Sequence, residues 1–407
     1  MTRLRVLSLA SVFPNALQPN LGTFVRARLQ AMTEFADVKV VAPVAYFEYG
    51  NPARRGFGFE QVPARRTDGA LEIFHPRWQY LPNAGPVTAF LMALEVAKFF
   101  RRDDYDIIDA HFAFPEGIAA ALLARLFGKP YSITLRGNEE EHSEYRFRKR
   151  AIRWAIRNAD RVIAVSEDLR QFAIRCGARP ENAKTIPNGI DASMYHPKPG
   201  GRELLAQYGV PAGVPVLLSV GYLIERKGHH HAIRALRMLI DRGSKAHLAI
   251  AGGPGAEGRY EPVLRNLVEE LALSERVHFT GNIPQAELAP MMSAADVMVL
   301  ATRKEGCPNV VNEALACGTP VVACDTGGVK DMLSSEEYGV VVPVDDVNAL
   351  AAALEYALGR AWDRDRIAQR GASRSWRQVA SEVVDWLEGA TGRELAFAAA
   401  AGKSQTA

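Results

Sequence analysis

The 407-residue chain has few cysteines, no long apolar run and no excess of charge of one sign. Its four cysteines are too few for a disulfide framework, and none forms the C-x-x-C pair of a typical zinc site. No stretch reaches the roughly 18 apolar residues of a membrane span, and the first apolar run is too short for a signal peptide. The 49 basic and 46 acidic residues exclude an acidic tail protein and a strongly basic nucleic-acid coat. We therefore expect a cytoplasmic protein, or one that touches the inner face of the cell membrane at its surface.

Length and composition are those of an ordinary globular chain. Hydrophobic residues make up 48% of it and charged residues 23%, as in packed domains rather than disordered chains. At about 150 residues per domain, the length predicts two or three domains. Residues 1–195 hold 27 basic and 21 acidic side chains, so this half is expected to face phosphate groups or an anionic membrane. Chance variation of the surface is the alternative.

Short apolar segments alternate with longer segments of helical periodicity, which predicts strands joined by helical crossovers in a parallel sheet. In the first half, the predicted strands are residues 4–9, 38–41, 106–110, 131–135 and 161–165. After a Pro- and Gly-rich connection the pattern restarts, with predicted strands at residues 216–220, 246–251, 277–280, 297–301 and 320–323. The sequence therefore predicts an α/β fold of two doubly wound, Rossmann-like domains that face a central cleft.

The predicted domain boundary lies at residue 190. Residues 1–190 form the first domain, which a C-terminal helix at 376–390 completes, and residues 191–375 form the second. Residues 391–407 are alanine-rich and then polar, and we expect this tail to be disordered.

A G-x-G-x-x-G pattern, Gly253 to Gly258, lies between a predicted strand and a predicted helix. It supports one rival function, a NAD-dependent oxidoreductase. A dinucleotide site also needs an acidic residue at the end of the next strand. That strand ends in Thr280-Gly-Asn282, so we rank the nicotinamide hypothesis below the one that follows.

The most informative segment runs from residue 294 to 328 and has the order strand, polar turn, helix. Glu305 lies in the turn, and Glu313 follows eight residues later in the helix. Backbone N–H groups at the start of that helix favour a phosphate. A carboxylate on the helix can accept hydrogen bonds from the two hydroxyls of a ribose. The segment therefore has the parts to hold a nucleotide diphosphate sugar; the alternative is a surface turn with two solvated glutamates.

The stretch Glu305-Gly-Cys-Pro-Asn-Val-Val-Asn-Glu313 resembles the E-x7-E segment of the family-four retaining glycosyltransferases of GT-B fold. Three further stretches are similar to that family's first acceptor-side loop, interdomain segment and phosphate-binding loop: residues 13–25, 186–191 and 220–228. The sequences FPN…NLGTFVRAR and HFAFPEG are most similar to bacterial transferases that build surface polysaccharides of the teichuronic-acid or exopolysaccharide type. The resemblance spans residues 4–390.

The resemblance implies a role for each matching residue. Lys227, with Arg226 beside it, would contact the donor diphosphate and offset the charge that builds on the leaving group. Glu305 would bond sugar hydroxyls near the reacting carbon, and Glu313 would bind the ribose. The other implied donor-binding residues are Gly22, which lets the first loop approach the diphosphate closely, and Asn188, Gly221, Gly306, Pro308, Asn309 and Val310.

One position departs from the family pattern. Many relatives carry an arginine after the glycine that corresponds to Gly221, whereas this chain has Tyr222. A positive charge is lost there, and we expect Arg226, Arg136 or both to compensate.

Two cleft residues are predicted at the carboxyl ends of strands in the first domain. His111 follows the strand DIIDA and would bond the transferred sugar or the acceptor, as the resemblance also implies; a histidine that serves only in packing is the alternative. Arg136 follows the next strand and would meet donor phosphate or an anionic acceptor. A surface ion pair of Arg136 with the acidic run Glu139 to Glu141 is the alternative.

Two further patterns suggest metal binding, and we set both aside. His229, His230 and His231 are adjacent, so on a helix they point in different directions, and we expect a helix start at the surface. Asp363 and Asp365 lie in a charged helix with no strand before it. No metal and no cofactor are predicted, since the nucleotide sugar is a substrate.

Residues 146–161, RFRKRAIRWAIRNADR, form a basic amphipathic helix. Its apolar face, with Phe147, Ile152, Trp154 and Ile156, suits an anionic lipid surface. The alternative is an ordinary helix that packs this stripe on the sheet.

Together these features predict a retaining, metal-independent hexosyltransferase that moves a sugar from a nucleotide diphosphate donor, a UDP-sugar, to a glycan or lipid-linked acceptor in surface polysaccharide synthesis. No pair of carboxylates is evident as nucleophile and acid/base, so retention is expected to follow a front-face path, as the resemblance implies. The alternatives are a non-catalytic nucleotide-sugar-binding protein and an epimerase or phosphorylase of the same fold. A nucleic-acid partner is not expected, because the basic segments lack interleaved aromatics.

Overall fold

The computed structural model describes residues 3–45, 61–81, 84–255, 258 and 260–392. The chain divides into two compact units, which we call unit 1 (up to Gly189, and again from Trp376) and unit 2 (Ile190–Ser375). Among the described residues, no helix combines the length and the apolar character needed to cross a membrane. Of the tail predicted to be disordered, residues 393–407 lie outside the described residues.

Unit 1 alternates strands and helices along most of its length. Its elements up to Gly189 are β1 (Leu4–Leu9), α1 (Thr23–Met32), β2 (Ala36–Val41), β3 (Val44–Ala45), β4 (Arg65–Asp68), β5 (Leu71–Phe74), β6 (Arg77–Trp78), α2 (Pro86–Ala97), β7 (Ile107–His111), α3 (Ile118–Phe127), β8 (Tyr131–Leu135), α4 (Glu139–His142), α5 (Arg146–Arg157), β9 (Arg161–Ala164), α6 (Glu167–Cys176) and β10 (Ala183–Thr185).

The eight-stranded sheet of unit 1 has the order β10-β9-β8-β7-β1-β2-β5-β4. All of its neighbouring strands are parallel except β4, which pairs antiparallel with β5 at the edge. The short strands β3 and β6 form a separate parallel pair. The central strands β7 and β8 are buried along their whole length, as expected for a parallel sheet covered on both faces.

Unit 2 repeats the alternation. Its elements are α7 (Gly201–Gln207), β11 (Val216–Val220), α8 (His229–Asp241), β12 (His247–Ala251), α9 (Glu261–Glu270), β13 (Val277–Gly281), α10 (Gln285–Ala294), β14 (Val297–Leu300), α11 (Asn309–Ala316), β15 (Val321–Cys324), α12 (Val329–Met332), β16 (Gly339–Val342), α13 (Val347–Gly359) and α14 (Arg364–Gly371). The chain then returns to unit 1 as α15 (Trp376–Glu388), whose Val383 and Leu387 join the core that α1 forms on the sheet.

The six-stranded sheet of unit 2 is entirely parallel, in the order β13-β12-β11-β14-β15-β16. Its two faces are covered by separate apolar clusters, one with α8, α9 and α13 and the other with α10 and α11. The predicted α/β class and the doubly wound topology are therefore confirmed in both units.

Each sheet has one point where the strand order reverses. In unit 1 it lies between β1 and β7, and in unit 2 between β11 and β14. Loops that leave neighbouring strands in opposite directions open a crevice at such a point, and ligands of open α/β sheets bind there. The fold therefore directs attention to the loops after β1, β7, β11 and β14.

Candidate active-site elements at the two strand-order reversals

In unit 2, the loops after β11 and β14 are joined by an ion pair. The Lys227 ammonium lies 2.6 Å from Oε1 of Glu305, and both side chains are mostly buried. The hydroxyl of Thr302 donates to the same oxygen at 3.1 Å. Neither contact uses Oε2 of Glu305, so this carboxylate keeps an acceptor for another hydroxyl.

Backbone hydrogen bonds hold the two loops in register. The carbonyl of Arg226 accepts from the amide of Arg303 at 2.9 Å, and the Thr302 hydroxyl oxygen lies 3.1 Å from the same carbonyl. The Arg226 guanidinium donates to the carbonyl of Lys304 at 3.2 Å. The structure thus brings together Arg226, Lys227 and Glu305, which are some 78 residues apart in the chain.

Glycines bring the ends of neighbouring strands into close contact. Gly228 has φ of +71°, and a β-carbon on it would overlap the carbonyl of Ala301 at the end of β14. A β-carbon on Gly221 would lie 3.4 Å from Cδ of Lys227. Larger residues at these positions would separate the strand ends or displace the lysine.

The amino end of α11 adjoins the Glu305 loop. Pro308 precedes the first residue of the helix, Asn309, and no side chain caps this end. Gly306 and Pro308 are buried. The first amides of a helix have no acceptor within it, and such helix ends favour anions; phosphate binding by the backbone of Val310 and its neighbours stays a prediction.

Glu313 lies one turn further along α11. Desolvation raises the pKa of its carboxyl to about 7, and a hydrogen bond from Tyr195 partly opposes the shift. The interpretation of Glu305 and Glu313 as two solvated surface glutamates is therefore wrong for both. Tyr195 is a site neighbour that the sequence analysis missed, because its position after a Pro-Asn-Gly segment gives no periodic signal.

The three adjacent histidines begin α8 and do not form a metal cluster. His229 is buried, with Nδ1 2.9 Å from the Ser219 hydroxyl and Nε2 3.2 Å from the carbonyl of Tyr222. The expected surface position is wrong for His229, which instead fixes the loop at Tyr222. Among the described residues, no three His, Cys, Asp or Glu side chains are grouped so that they could hold a metal ion.

The G-x-G-x-x-G pattern follows β12, as expected, but its first glycine serves packing. A β-carbon on Gly253 would overlap the side chain of Asn282, and one on Gly255 would meet Ile224 and Tyr222. Of the pattern, Ala256 and Glu257 lie outside the described residues. The glycines at 253 and 255 thus allow close packing of loops, which explains them without a dinucleotide.

Unit 1 has a buried polar network at its own strand-order reversal. Arg28 of α1 forms an ion pair with Asp109 of β7 and also donates to the Thr134 hydroxyl at 2.9 Å. The Ser132 hydroxyl donates to the other oxygen of Asp109 at 2.6 Å. Burial alone would raise the pKa of Asp109, but the charge of Arg28 and these hydrogen bonds bring it below its usual range.

His111 lies inside this network and is fully buried. Its Nδ1 is 3.0 Å from a guanidinium nitrogen of Arg136, and its Nε2 is 3.3 Å from Asp109. Arginine can only donate, so the shorter Arg136 contact favours the tautomer with Nδ1 as acceptor and the proton on Nε2, which lies 3.3 Å from both Asp109 and a guanidinium nitrogen of Arg28. Burial and the charge of Arg28 lower the pKa of His111 to about 3. His111 is therefore a neutral histidine that holds Arg136.

Arg136 is buried rather than exposed. Besides His111, its guanidinium reaches Oδ1 of Asn188 at 3.3 Å and lies over the Phe24 ring, 5.0 Å from the centroid. The alternative of a surface ion pair with Glu139 is wrong, because that carboxylate accepts from the backbone amides of residues 136 and 137 at 2.9 and 2.7 Å. The structure brings together His111, Arg136 and Asn188 from three separate predicted segments.

Gly22 and Glu116 shape the loop after β1. Gly22 has φ of +65°, and a β-carbon there would overlap the carbonyl of Val12. Glu116, which the sequence analysis did not single out, is buried and accepts from the Ser11 amide at 3.0 Å. Desolvation raises the pKa of Glu116 to about 7, and within the described residues its Oε2 has no partner.

The comparisons with known proteins agree with this architecture. Residues 37–194 match the family model described as Glycosyltransferase Family 4, and residues 202–374 match Glycosyl transferases group 1. The putative teichuronic acid biosynthesis glycosyltransferase TuaC of Bacillus subtilis is 27% identical over 86% of this chain and 88% of its own. A GDP-mannose-dependent alpha-(1-6)-phosphatidylinositol monomannoside mannosyltransferase of Mycolicibacterium smegmatis is 31% identical over 75% of this chain and 85% of its own.

A solved structure supports the fold over the whole length. The sucrose-phosphate synthase of Thermosynechococcus elongatus superposes with a TM-score of 0.78 at 22% identity, over 98% of this chain and 100% of its own. With two family models that together cover most of the sequence and two Rossmann-like units, the chain belongs to the family-four glycosyltransferases and has their GT-B fold.

Proposed function

We propose that this glycosyltransferase is retaining and metal-independent, and that it moves a hexose from a UDP-sugar to a glycan or lipid-linked acceptor in surface polysaccharide synthesis. The single observation that carries the proposal is the Lys227–Glu305 pair at the uncapped amino end of α11. It places a cation beside a carboxylate that lies four residues before the start of α11, a helix end with no side-chain cap.

Unit 2 is the proposed donor side. Lys227 and Arg226 neutralise the diphosphate, and the first amides of α11 with the backbone of Gly306 donate to its oxygens. Gly221 lets the diphosphate approach the backbone beside Lys227. Lys227 is paired with Glu305 in the donor-free protein. On donor binding, the Lys227 ammonium then pairs partly with phosphate instead of with the carboxylate. Oε2 of Glu305 then accepts from a sugar hydroxyl.

Glu313 is the proposed ribose acceptor. Only the ionised carboxylate accepts from both ribose hydroxyls, while its pKa near 7 in the free protein leaves it partly protonated at neutral pH. The free energy needed to deprotonate Glu313 therefore weakens donor binding at a pH below 7. This makes the step sensitive to pH in a way that a solvated glutamate would not be.

Unit 1 is the proposed acceptor side. The buried network fixes Arg136 and His111, so that Arg136 presents its charge in a single orientation to a phosphate or an anionic acceptor. Contact of His111 with a sugar requires that one of its two ring nitrogens release its present partner. Gly22 allows the first loop to approach the donor diphosphate closely.

Retention is proposed to follow a front-face path. The bond from the anomeric carbon to the diphosphate oxygen breaks, and the bond to the acceptor oxygen forms on the same side. The acceptor's proton goes to the departing phosphate oxygen. The protein holds the reactants together and stabilises the diphosphate through Lys227 and the α11 amides.

The acceptor class is supported by the relatives' names. TuaC is named for teichuronic acid biosynthesis, and the mycobacterial relative is named for a lipid-linked acceptor and for GDP-mannose. The second name makes guanosine the main alternative to uridine as the donor base.

The test has two stages. Thermal stabilisation by UDP, GDP, ADP and NAD, with magnesium or with EDTA, identifies the base, because a ligand of the folded state raises the melting temperature by mass action. Proton NMR of the product from the matching donor and a membrane-extracted acceptor then gives its anomeric configuration. A shift by one nucleoside diphosphate in EDTA and a retained anomer support the proposal.

Other outcomes select other functions. A shift by NAD alone favours the oxidoreductase, and an inverted anomer or a strict magnesium requirement contradicts the mechanism. Turnover without an acceptor glycan, or only with phosphate, identifies an epimerase or phosphorylase. Binding without any slow donor hydrolysis identifies a non-catalytic binding protein.

A further inference from the structure

An apolar stripe on helix α2 of unit 1 faces solvent. The opposite side of this helix, with Ala89, Met92 and Val96, is buried against the unit. Val87, Phe90 and Leu94, at helical spacing, are 51%, 50% and 47% exposed. Large side chains scattered singly on a surface need no explanation, but a stripe of three on one helix face indicates a binding surface.

The amino end of helix α5 extends this stripe. Phe147 is 70% exposed, and its β-carbon is 3.9 Å from the place a β-carbon would take on Gly85, the residue before α2. Arg148 lies over the Tyr145 ring, 4.7 Å from its centroid. Phe147 therefore stands beside the first turn of α2 and continues its apolar face.

Helix α5, which adjoins the start of α2, carries exposed positive charge. Arg146, Lys149, Arg150 and Arg153 are exposed, and the helix contains no acidic residue. In the part of the chain that the structure describes, none of these four cations has an ion pair with a carboxylate. The acidic side chains that precede the helix are Glu139, Glu140, Glu141 and Glu144, of which Glu139 is buried. The charge of α5 is thus available to an outside partner.

The sequence-based hypothesis of a lipid-facing stripe on α5 itself needs correction. Ile152 and Ile156 are buried against the unit, and Trp154 is covered by the Arg125 guanidinium at 5.5 Å. Only Phe147 of that stripe is open. The apolar part of the surface comes from α2, which the sequence analysis left unassigned, and the cationic part comes from α5.

We propose that this surface, the α2–α5 face (Val87, Phe90, Leu94, Arg146, Phe147, Lys149, Arg150 and Arg153), docks unit 1 onto an anionic lipid bilayer. Apolar side chains that enter the headgroup boundary, ringed by cations that meet lipid phosphates, are the arrangement by which proteins lie on such membranes. A second copy of this chain is a poorer occupant, because a two-fold interface would set the unpaired cations of the two α5 helices against each other. The proposal does not rest on the donor or acceptor proposed above.

The test is cosedimentation of the full chain with vesicles of phosphatidylcholine alone or mixed with phosphatidylglycerol. Binding is expected only to the mixed vesicles and is expected to weaken steeply with salt. Phe90→Ser with Phe147→Ser, and separately Lys149→Glu with Arg150→Glu, should each weaken it at least tenfold. Circular dichroism and the melting temperature show that each variant is folded.

Matched controls come from exposed residues elsewhere. Val263→Ser with Tyr356→Ser removes apolar side chains of similar exposure from unit 2, and Arg179→Glu with Lys245→Glu makes the same change in net charge. Both controls should bind like the original chain. Equal losses in controls and test variants would reduce the effect to general hydrophobicity or charge and overturn the proposal.

Three further results would also overturn it: no binding to mixed vesicles, equal binding to phosphatidylcholine alone, or a self-association in sedimentation equilibrium that the Phe90→Ser, Phe147→Ser variant abolishes. Slow hydrolysis of the nucleotide sugar in solution should be unchanged in the variants of this face. Loss of vesicle binding with intact hydrolysis therefore separates failure of this inference from failure of the proposed function.

Discussion

Each unit has an ion pair at its strand-order reversal, but the two pairs differ in how deeply they are buried. Unit 1 places a complete ion pair, Arg28 with Asp109, below the surface and holds His111 and Arg136 through it. Unit 2 places Lys227 and Glu305 nearer the surface, on two glycine-containing loops, beside a helix end whose amides are uncapped. Charges of the first kind are already satisfied by the protein, whereas charges of the second kind can exchange partners with a ligand.

Because of this difference, breaking the two ion pairs is expected to change different properties of the protein. A buried charge that loses its partner has no water to replace it, so its loss appears as lost stability. A charge near the surface that loses its partner is partly solvated, so its loss appears mainly in ligand binding. The comparison therefore predicts that similar substitutions in the two units will change different measurements.

The largest expected effect is on stability, from Asp109→Asn in unit 1. The substitution leaves the Arg28 guanidinium buried without a negative partner, which costs about 3–5 kcal/mol. Urea denaturation followed by tryptophan fluorescence measures the loss. The control is Asp106→Asn, at the residue just before β7, whose partner Arg5 is 43% exposed, and it should cost at most about 1 kcal/mol. Equal costs for the two variants would show that burial does not decide the energetics of this pair.

The next effect is on turnover, from Lys227→Ala in unit 2. Loss of the cation proposed to contact the leaving diphosphate should lower kcat/KM by about 10²–10³, as removal of one electrostatic contact in a transition state does. Because Lys227 and Glu305 are 17% and 12% exposed, whereas Arg28 and Asp109 are 3% and 0% exposed, stability should fall by less than in Asp109→Asn. Lys304→Ala removes a neighbouring lysine that has no ion pair in the described part of the chain, and it should leave kcat/KM within about twofold. A loss of stability larger than the loss of transition-state binding would remove the distinction between the units.

The fold was largely predictable because doubly wound sheets leave a periodic record in the sequence. The strands at 4–9, 131–135 and 216–220 have the predicted bounds, and most others differ by one or two residues at an end. The segment between β2 and β7 gave no prediction. There β4 is a charged edge strand with alternating exposure, and α2 is apolar on its solvent side as well as its buried side, so neither shows the expected period.

The site residues of the two units also differ in how well the sequence predicts them. Lys227, Glu305 and the start of α11 lie in loops whose glycines and helix end are local features, and sequence motifs find them. The Arg28–Asp109 pair joins residues 81 positions apart, so only the fold brings it together. One signal was present: Arg28 falls on the same helix face as Val25, Leu29 and Met32, and an arginine on an apolar stripe needs a buried partner.

A smaller effect is expected from Gly22→Ala in the loop after β1. This variant tests whether that loop is as rigid as the buried network around Asp109. The left-handed conformation alone costs alanine about 1 kcal/mol. Here the new β-carbon also overlaps the carbonyl of Val12, so the loop must move, and donor affinity should fall together with stability.

The matched control for this position is Gly128→Ala. Gly128 has φ of +61°, but a β-carbon on it would meet nothing within 4 Å, so this variant carries the conformational cost without the overlap. Thermal unfolding and titration with the nucleotide identified above compare the two. The same loss of stability in both variants, with donor affinity unchanged, would mean that the loop absorbs the extra atom and that Gly22 has no part in the site.

The smallest expected effect is the pH dependence that Glu313 gives unit 2. Its pKa is raised to about 7 in the free protein, above the unfolded value, so its contribution to stability is full below about pH 4.5 and is lost as the pH rises through 7. Donor binding should depend on pH with the opposite sign, because the proposed contact with the ribose needs the ionised carboxylate. Affinity should therefore rise by up to about tenfold per pH unit below 7 and level off above it, while the donor-free melting temperature falls.

Isothermal titration from pH 5.5 to 8 measures the first trend. Glu313→Gln is the control, because its side chain cannot ionise while the nucleotide's phosphate still titrates. The pH dependence that remains in this variant is that of the ligand alone. If the variant and the original chain change in parallel, the carboxylate is not what the ribose binds, and Glu313 would then serve structure, as the Arg28–Asp109 pair does in unit 1.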